Sequence, residues 1–173
     1  QYLLPVSSNL PTIIFSIANR HFLENNFNVS FDEMKELAPN INAKKGKAYL
    51  KMCFAPRWEK EVLYIAMQGL NVSFEESETF FKWSDDALKD AVAYLQDWTI
   101  SVNETTDNED DFKFKYLYDM PYLLVKNGFC TFYYMPTDAL FSLSKEKLEN
   151  IDFRYLQFND AVPCKDDILY AGI

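Results

Sequence analysis

Four glycines in 173 residues leave this chain few places where the backbone can turn with positive φ or pass close against a ligand. Average usage is roughly 7%. Phosphate-cradling loops and dinucleotide folds depend on such positions, so they are poorly served here. A single histidine, His21, narrows the chemistry further, because histidine is the usual proton shuttle near neutral pH and the commonest metal ligand. No Ser/His/Asp or Cys/His arrangement, Walker-type loop or zinc spacing is present. The chain reads as one built for packing and surface contact, and no catalytic or metal-ligating residue is assigned.

Apolar content is ample for a core. The sequence is 49% hydrophobic and carries 3 Trp, 11 Tyr and 15 Phe. No run approaches the ~18 apolar residues of a membrane span. The three cysteines, Cys53, Cys130 and Cys164, have no metal-like spacing and read as reduced, packed thiols. Sequons occur at Asn28, Asn71 and Asn103. Intracellular placement, in a cytoplasm, host cell or virion, is favoured over secretion. The abundance of Asn, Lys, Ile, Phe and Tyr is that of low-GC genomes and suggests a viral or phage source. Net charge is uneven: +2 over residues 1–70 and −11 over residues 71–173. The acidic half should repel nucleic acid and anionic membranes.

Local signals predict helices first. Residues 12–24, apolar on most faces and entered through Pro11, read as a buried helix carrying His21. Ser30-Phe31-Asp32-Glu33 is a capping box flanked by the staple pair Val29 and Met34, opening a short helix that should stop near Pro39. A helix over 41–54 follows, with Lys44, Lys45, Lys47 and Lys51 gathered on one side. The apolar run 61–67 reads as a buried strand. Ser73 heads a second capping box. Ser84 caps the clearest helix, 85–98, with Leu88, Ala91, Val92, Leu95 and Trp98 on its apolar face. Segments 28–50 and 71–95 share enough residues to raise an internal repeat.

Beyond the acidic loop 103–111 the apolar period changes to two. Strands are expected over 112–118, 122–125 and 129–134, the last two joined at Asn127-Gly128, a strong hairpin signal. Ser144 should cap a helix over 145–151, and 152–158 reads as a final strand. The expected fold class is α+β: an antiparallel C-terminal meander packed against N-terminal and central helices in a single compact domain over 1–173. Its parts are helical over about 9–56, mixed over 57–102, the acidic loop, and sheet-rich over 112–173.

Three functional readings follow. The leading one is a non-catalytic interaction or assembly protein, with a protein partner or a second copy and no cofactor. If helices cover one face of the meander, the other leaves aromatic rings for a partner, with Phe132, Tyr133 and Tyr134 as anchors. The second is a helix-turn-helix-like nucleic-acid binder using Lys44, Lys45, Lys47 and Lys51. Against it stand the acidic balance and the lack of an arginine on that helix. The third is a metal-dependent nuclease built on Asp111-Phe112-Lys113 with Asp97 or Asp85.

Overall fold

The computed structural model describes residues 3–23, 27–45, 48–55, 60–70, 75–76, 81–82, 84–103, 120–159, 162–163 and 167–172. In chain order the elements are β1 (Leu3–Asn9), β2 (Thr12–Ser16), a 3₁₀ turn (Ile17–Phe22), β3 (Asn28–Ser30), α1 (Phe31–Ile41), β4 (Ala43–Lys45) and β5 (Ala48–Phe54). Then come α2 (Lys60–Gly69), β6 (Glu75–Glu76), β7 (Phe81–Lys82), α3 (Asp85–Asn103), α4 (Pro121–Lys126) and β8 (Cys130–Tyr134). The last are α5 (Thr137–Ser142), α6 (Lys145–Leu148), β9 (Ile151–Asn159), β10 (Val162–Pro163) and β11 (Asp167–Gly172).

The central sheet runs β10-β9-β2-β8-β5-β4, with β3 joined to β9. It is mixed. β5 pairs parallel to β8 and β3 parallel to β9, while β2 is antiparallel to both of its neighbours. Strands β3, β5, β8 and β9 therefore point one way. This corrects the expected antiparallel meander. Separately, β1 pairs antiparallel with β11.

Helices cover both faces of this sheet, not one. On the first face Ile13, Phe15, Phe132, Tyr134, Leu156 and Phe158 pack against Met34, Ala38 and Ile41 of α1, Val62 and Ala66 of α2, and Leu95 and Trp98 of α3. On the second, Ile14, Met52 and Tyr133 pack against Leu124 and Val125 of α4 and Leu140 of α5. Successive strand residues point to opposite faces, which sends Tyr134 to one core and Tyr133 to the other.

Two of the predicted caps are observed. Ser30 Oγ accepts from Glu33 N at 3.1 Å, and Val29 and Met34 are buried in the same cluster. Ser84 Oγ accepts from Ala87 N at 3.2 Å, and α3 runs past residue 98 to Asn103. On α3, Ala91, Leu95 and Trp98 are buried as expected, but Leu88 is exposed. Helix α1 does not stop at Pro39. It continues through it to buried Ile41, closed by Asn42 N donating to Ala38 O at 2.9 Å.

Other elements differ from expectation. Thr12–Ser16 is a central strand, because an apolar run buried on all sides carries no helical period to read. The helix expected over 41–54 is not found among the described residues: Ile41 ends α1, and Ala43–Lys45 and Ala48–Phe54 pair as β4 and β5. The outer side of β5 is satisfied by side chains: Asn42 Oδ1 accepts from Cys53 N at 2.8 Å and Asn103 Oδ1 from Phe54 N at 2.9 Å. That use buries Asn103, which is thereby unavailable as a glycosylation sequon. The 61–67 run is helical within α2, with Val62, Ile65 and Ala66 buried at helical spacing.

Asn127-Gly128 does not join two strands. Residues 121–126 are α4, and Gly128, at φ 77°, ends it. Gly128 N donates to Val125 O at 3.1 Å and Phe129 N to Leu124 O at 2.9 Å, the bond pair of a Schellman motif. Helix α6 is shorter than expected, ending at Leu148. The repeat is not structural, since Ala48-Tyr49-Leu50 is strand and Ala93-Tyr94-Leu95 is helix. Residues 75–76, expected to be helical after Ser73, form strand β6. The expected strand 112–118, most of the acidic loop and Cys164 lie outside the described residues. Cys53 and Cys130 are free and buried, and burial pushes both thiols up.

Candidate functional site

Because β3, β5, β8 and β9 share a direction, the sheet has a carboxyl edge and an amino edge, and the two carry different chemistry.

At the carboxyl edge β8 is followed by Met135-Pro136, and α5 starts at Thr137. Thr12 Oγ1 donates to Met135 O, tying β2 to this corner. Leu10 N donates to Thr137 Oγ1 at 2.9 Å, and Thr137 N returns to Leu10 O at 3.1 Å. Asn9 Oδ1 accepts from Thr137 Oγ1 at 3.2 Å and from Asp138 N at 3.1 Å. Among the described residues the Asn9 N–H₂ group has no partner. Asp138 is exposed, and its Oδ1 accepts from Ala139 N at 2.6 Å. The edge thus presents an amide donor and a carboxylate acceptor on a backbone held by crossed hydrogen bonds. Residues 56–59 and 160–161, after β5 and β9 in sequence, are outside the described set.

An aromatic row continues from this edge. Asp138 and Phe141 lie three residues apart on α5 and so share a helix face. Phe141 is 65% exposed, and its ring meets Phe153 of β9 edge-on, centroids 6.0 Å apart at 90°. Phe153 meets Tyr155 in the same way, at 6.0 Å and 81°. Tyr155 is 40% exposed; it pairs with Thr12 and donates its N–H to Phe27 O at 3.0 Å.

The amino edge is charged. Arg20, on the 3₁₀ turn, places Nε and Nη2 on Asp152 Oδ2, at 3.0 and 2.5 Å. Arg154 Nη1 reaches the same oxygen at 3.3 Å and Phe153 O at 2.8 Å, and its guanidinium lies over the Phe15 ring. Its Nε is buried without a hydrogen bond among the described residues. Burial raises the Asp152 carboxyl, but the Arg20 hydrogen bond, the Phe153 N–H and the Arg154 charge outweigh it and hold the group below the usual range. His21 is exposed, its Nδ1 3.0 Å from Ala18 O.

The residues singled out from sequence fall elsewhere. Phe132, Tyr133 and Tyr134 are 0%, 5% and 4% exposed, so these intended anchors are core side chains of this chain. The reason is the second helical layer, α4 to α6, on the face expected to be bare. Lys44 and Lys45 are on β4, at the end of the sheet order. Lys47 is outside the described residues. Lys51 is on β5, donates to Asn19 Oδ1 at 3.1 Å and lies over Phe22; burial lowers its ammonium from the ordinary range. Among the described residues no helix gathers these lysines. Asp85 and Asp97 are exposed on α3, and Asp111-Phe112-Lys113 is outside the described residues. Among the described residues no group of three or more His, Cys, Asp or Glu could hold a metal ion, and no helix is long and apolar enough to cross a membrane. Asn9, Thr137, Asp138, Phe141 and Tyr155 were not singled out. The Pro136-Thr137-Asp138 run is a helix-start signal that could have drawn attention to Thr137 and Asp138.

No protein-family model matches the sequence, and no curated protein does. Solved structures match the fold. CpMnBP1 with mannobiose bound aligns with a TM-score of 0.60 and 15% identity, over 95% of this chain and 43% of that one. A cyclo/maltodextrin-binding protein complexed with maltotetraose aligns at 0.54 and 13%, over 96% and 42%. An ABC transporter solute-binding protein from Agrobacterium vitis S4 with bound D-mannitol aligns at 0.50 and 14%, over 89% and 38%. The chain spans less than half the length of each. At these identities the likeness is one of fold: a mixed α/β architecture like part of a solute-binding protein.

Proposed function

We infer that this chain is a non-catalytic solute-binding lobe and that its ligand is a neutral polyhydroxy compound, a sugar or sugar alcohol, held at the carboxyl edge of β5, β8 and β9. The observation that carries the reading is the shared direction of four strands in a fold like that of solute-binding proteins. In open α/β sheets ligands bind outside the carboxyl ends of the strands. A polyol needs donors and acceptors at close range, and the Asn9 amide and Asp138 carboxylate supply both. The network through Leu10 and Thr137 fixes their spacing before a ligand arrives, which lowers the entropy lost on binding.

Saturation-transfer NMR with mannobiose, maltotetraose and D-mannitol tests this. Binding is expected with a Kd on the order of 1 mM, which ligand-observed NMR detects. The Asp138→Ala variant should lose it, and Arg20→Ala, at the opposite edge, should keep it. Absence of transfer to all three compounds, or loss in the Arg20 variant alone, overturns the reading.

A further inference from the structure

The aromatic row beside the carboxyl edge is left unexplained by a site for one small solute. Phe141 is 65% exposed and Tyr155 40%, and Phe27, whose carbonyl receives the Tyr155 N–H, is 82% exposed. Isolated exposed apolar side chains are ordinary. A file of rings in edge-to-face contact, running from a polar corner, is not an isolated side chain.

We propose that Phe141, Phe153 and Tyr155 form a chain-length subsite, which takes the second and later units of an oligosaccharide whose first unit sits at Asn9 and Asp138. This rests on the solute-binding reading above. Three features of the row select the occupant. First, it is continuous with the polar edge: Phe141 shares its helix face with Asp138, and Tyr155 pairs with Thr12, which donates to Met135 O beside the Thr137 corner. Second, both outer rings stand nearly perpendicular to half-buried Phe153, at 90° and 81°, with centroids 6.0 Å apart. The three rings are thus offset rather than coplanar, and each outer ring is a separate contact about the size of one sugar ring. Third, a sugar unit is apolar on its C–H face and polar at its rim. The Tyr155 hydroxyl gives an aromatic neighbour that can bond such a rim while its ring meets the C–H face.

The test compares chain lengths. Calorimetric titrations of the parent with glucose and with maltotetraose should show tighter binding of the tetrasaccharide. Phe141→Ala should reduce that advantage roughly tenfold, as expected for one lost ring contact, and leave glucose binding as it was. Tyr155→Phe should lose less than Tyr155→Ala. A tetrasaccharide advantage that survives both alanine substitutions overturns the proposal and leaves the solute-binding reading standing. A parent that binds neither compound overturns the proposal, and the solute-binding reading falls with it only if mannobiose and D-mannitol fail to bind as well. Light scattering adds a further check: a dimer that Phe141→Ala converts to a monomer would assign the row to self-association instead.

Discussion

The two faces of the central sheet are covered by helices of different length, and that difference separates core from surface. On the first face α1, α2 and α3 have 11, 10 and 19 residues. They enclose an aromatic cluster in which Phe31 meets Trp98 at 4.8 Å and Phe54 meets Trp98 at 5.0 Å, both edge-on. Trp98 Nε1 donates to Phe31 O at 2.9 Å, so its one polar atom is satisfied inside the core. On the second face α4, α5 and α6 have only 6, 6 and 4 residues. They bury Tyr133 and Ile14 but leave Phe141 of α5 and Tyr155 of β9 in contact with solvent. Aromatic content alone therefore says little about a surface. The reach of the covering helices decides which rings are core and which can meet a ligand.

The comparison is broken most severely by truncating the long-helix face. Phe31→Ala removes a ring packed against Trp98, Tyr94 and Phe158 and should cost about 3–5 kcal/mol, read as a lower denaturant midpoint. On the second face two rings should part company. Tyr133→Ala should cost about 3 kcal/mol, because the side chain is core. Phe141→Ala should stay within about 0.5 kcal/mol of the parent. Equal losses at the two positions would mean that the short helices do not divide this face as described.

Backbone fit sharpens the same contrast. A methyl group on Gly69, at the end of α2, would fall on the Phe158 ring. Gly69→Ala should therefore lose about 1–3 kcal/mol through overpacking, although alanine favours helix at most positions. At the start of α1, Ser30→Ala removes the acceptor for Glu33 N and should cost about 1 kcal/mol.

How far the fold is legible follows from where the decisive interactions lie. Ser30, Ser84, β8 and β9 were readable because capping chemistry and strand alternation are local. The 12–16, 41–54 and 61–67 segments were not, because each is decided by a partner distant in sequence. Thr12–Ser16 is a strand through pairing with β8 and β9. Residues 51–54 are strand through β8 on one side and the side chains of Asn42 and Asn103 on the other. Asn127-Gly128 carried a correct signal for positive φ but not for which element precedes it, so a helix end passed for a hairpin. The site was hidden for a further reason. Asn9 and Asp138 are 129 residues apart, and only the crossing of β2 past β8 brings them together.

The smallest expected effect is at the charged amino edge. Asp152 has its carboxyl held below the unfolded value of about 3.9, so its contribution is complete above that pH and is lost as pH falls through the lower folded value. Acid unfolding of Asp152→Asn should be less steep than that of the parent below about pH 4, and identical acid limbs would contradict the Arg20–Asp152–Arg154 geometry.

The most direct test of the account is a backbone amide NMR titration of the chain with maltotetraose. Shifts should concentrate at Asn9, Thr137 and Asp138 and extend along α5 to Phe141 and across to Phe153 and Tyr155, with Arg20, Lys51 and Asp152 unchanged. Shifts centred on the amino edge, or none at saturating sugar, would contradict it.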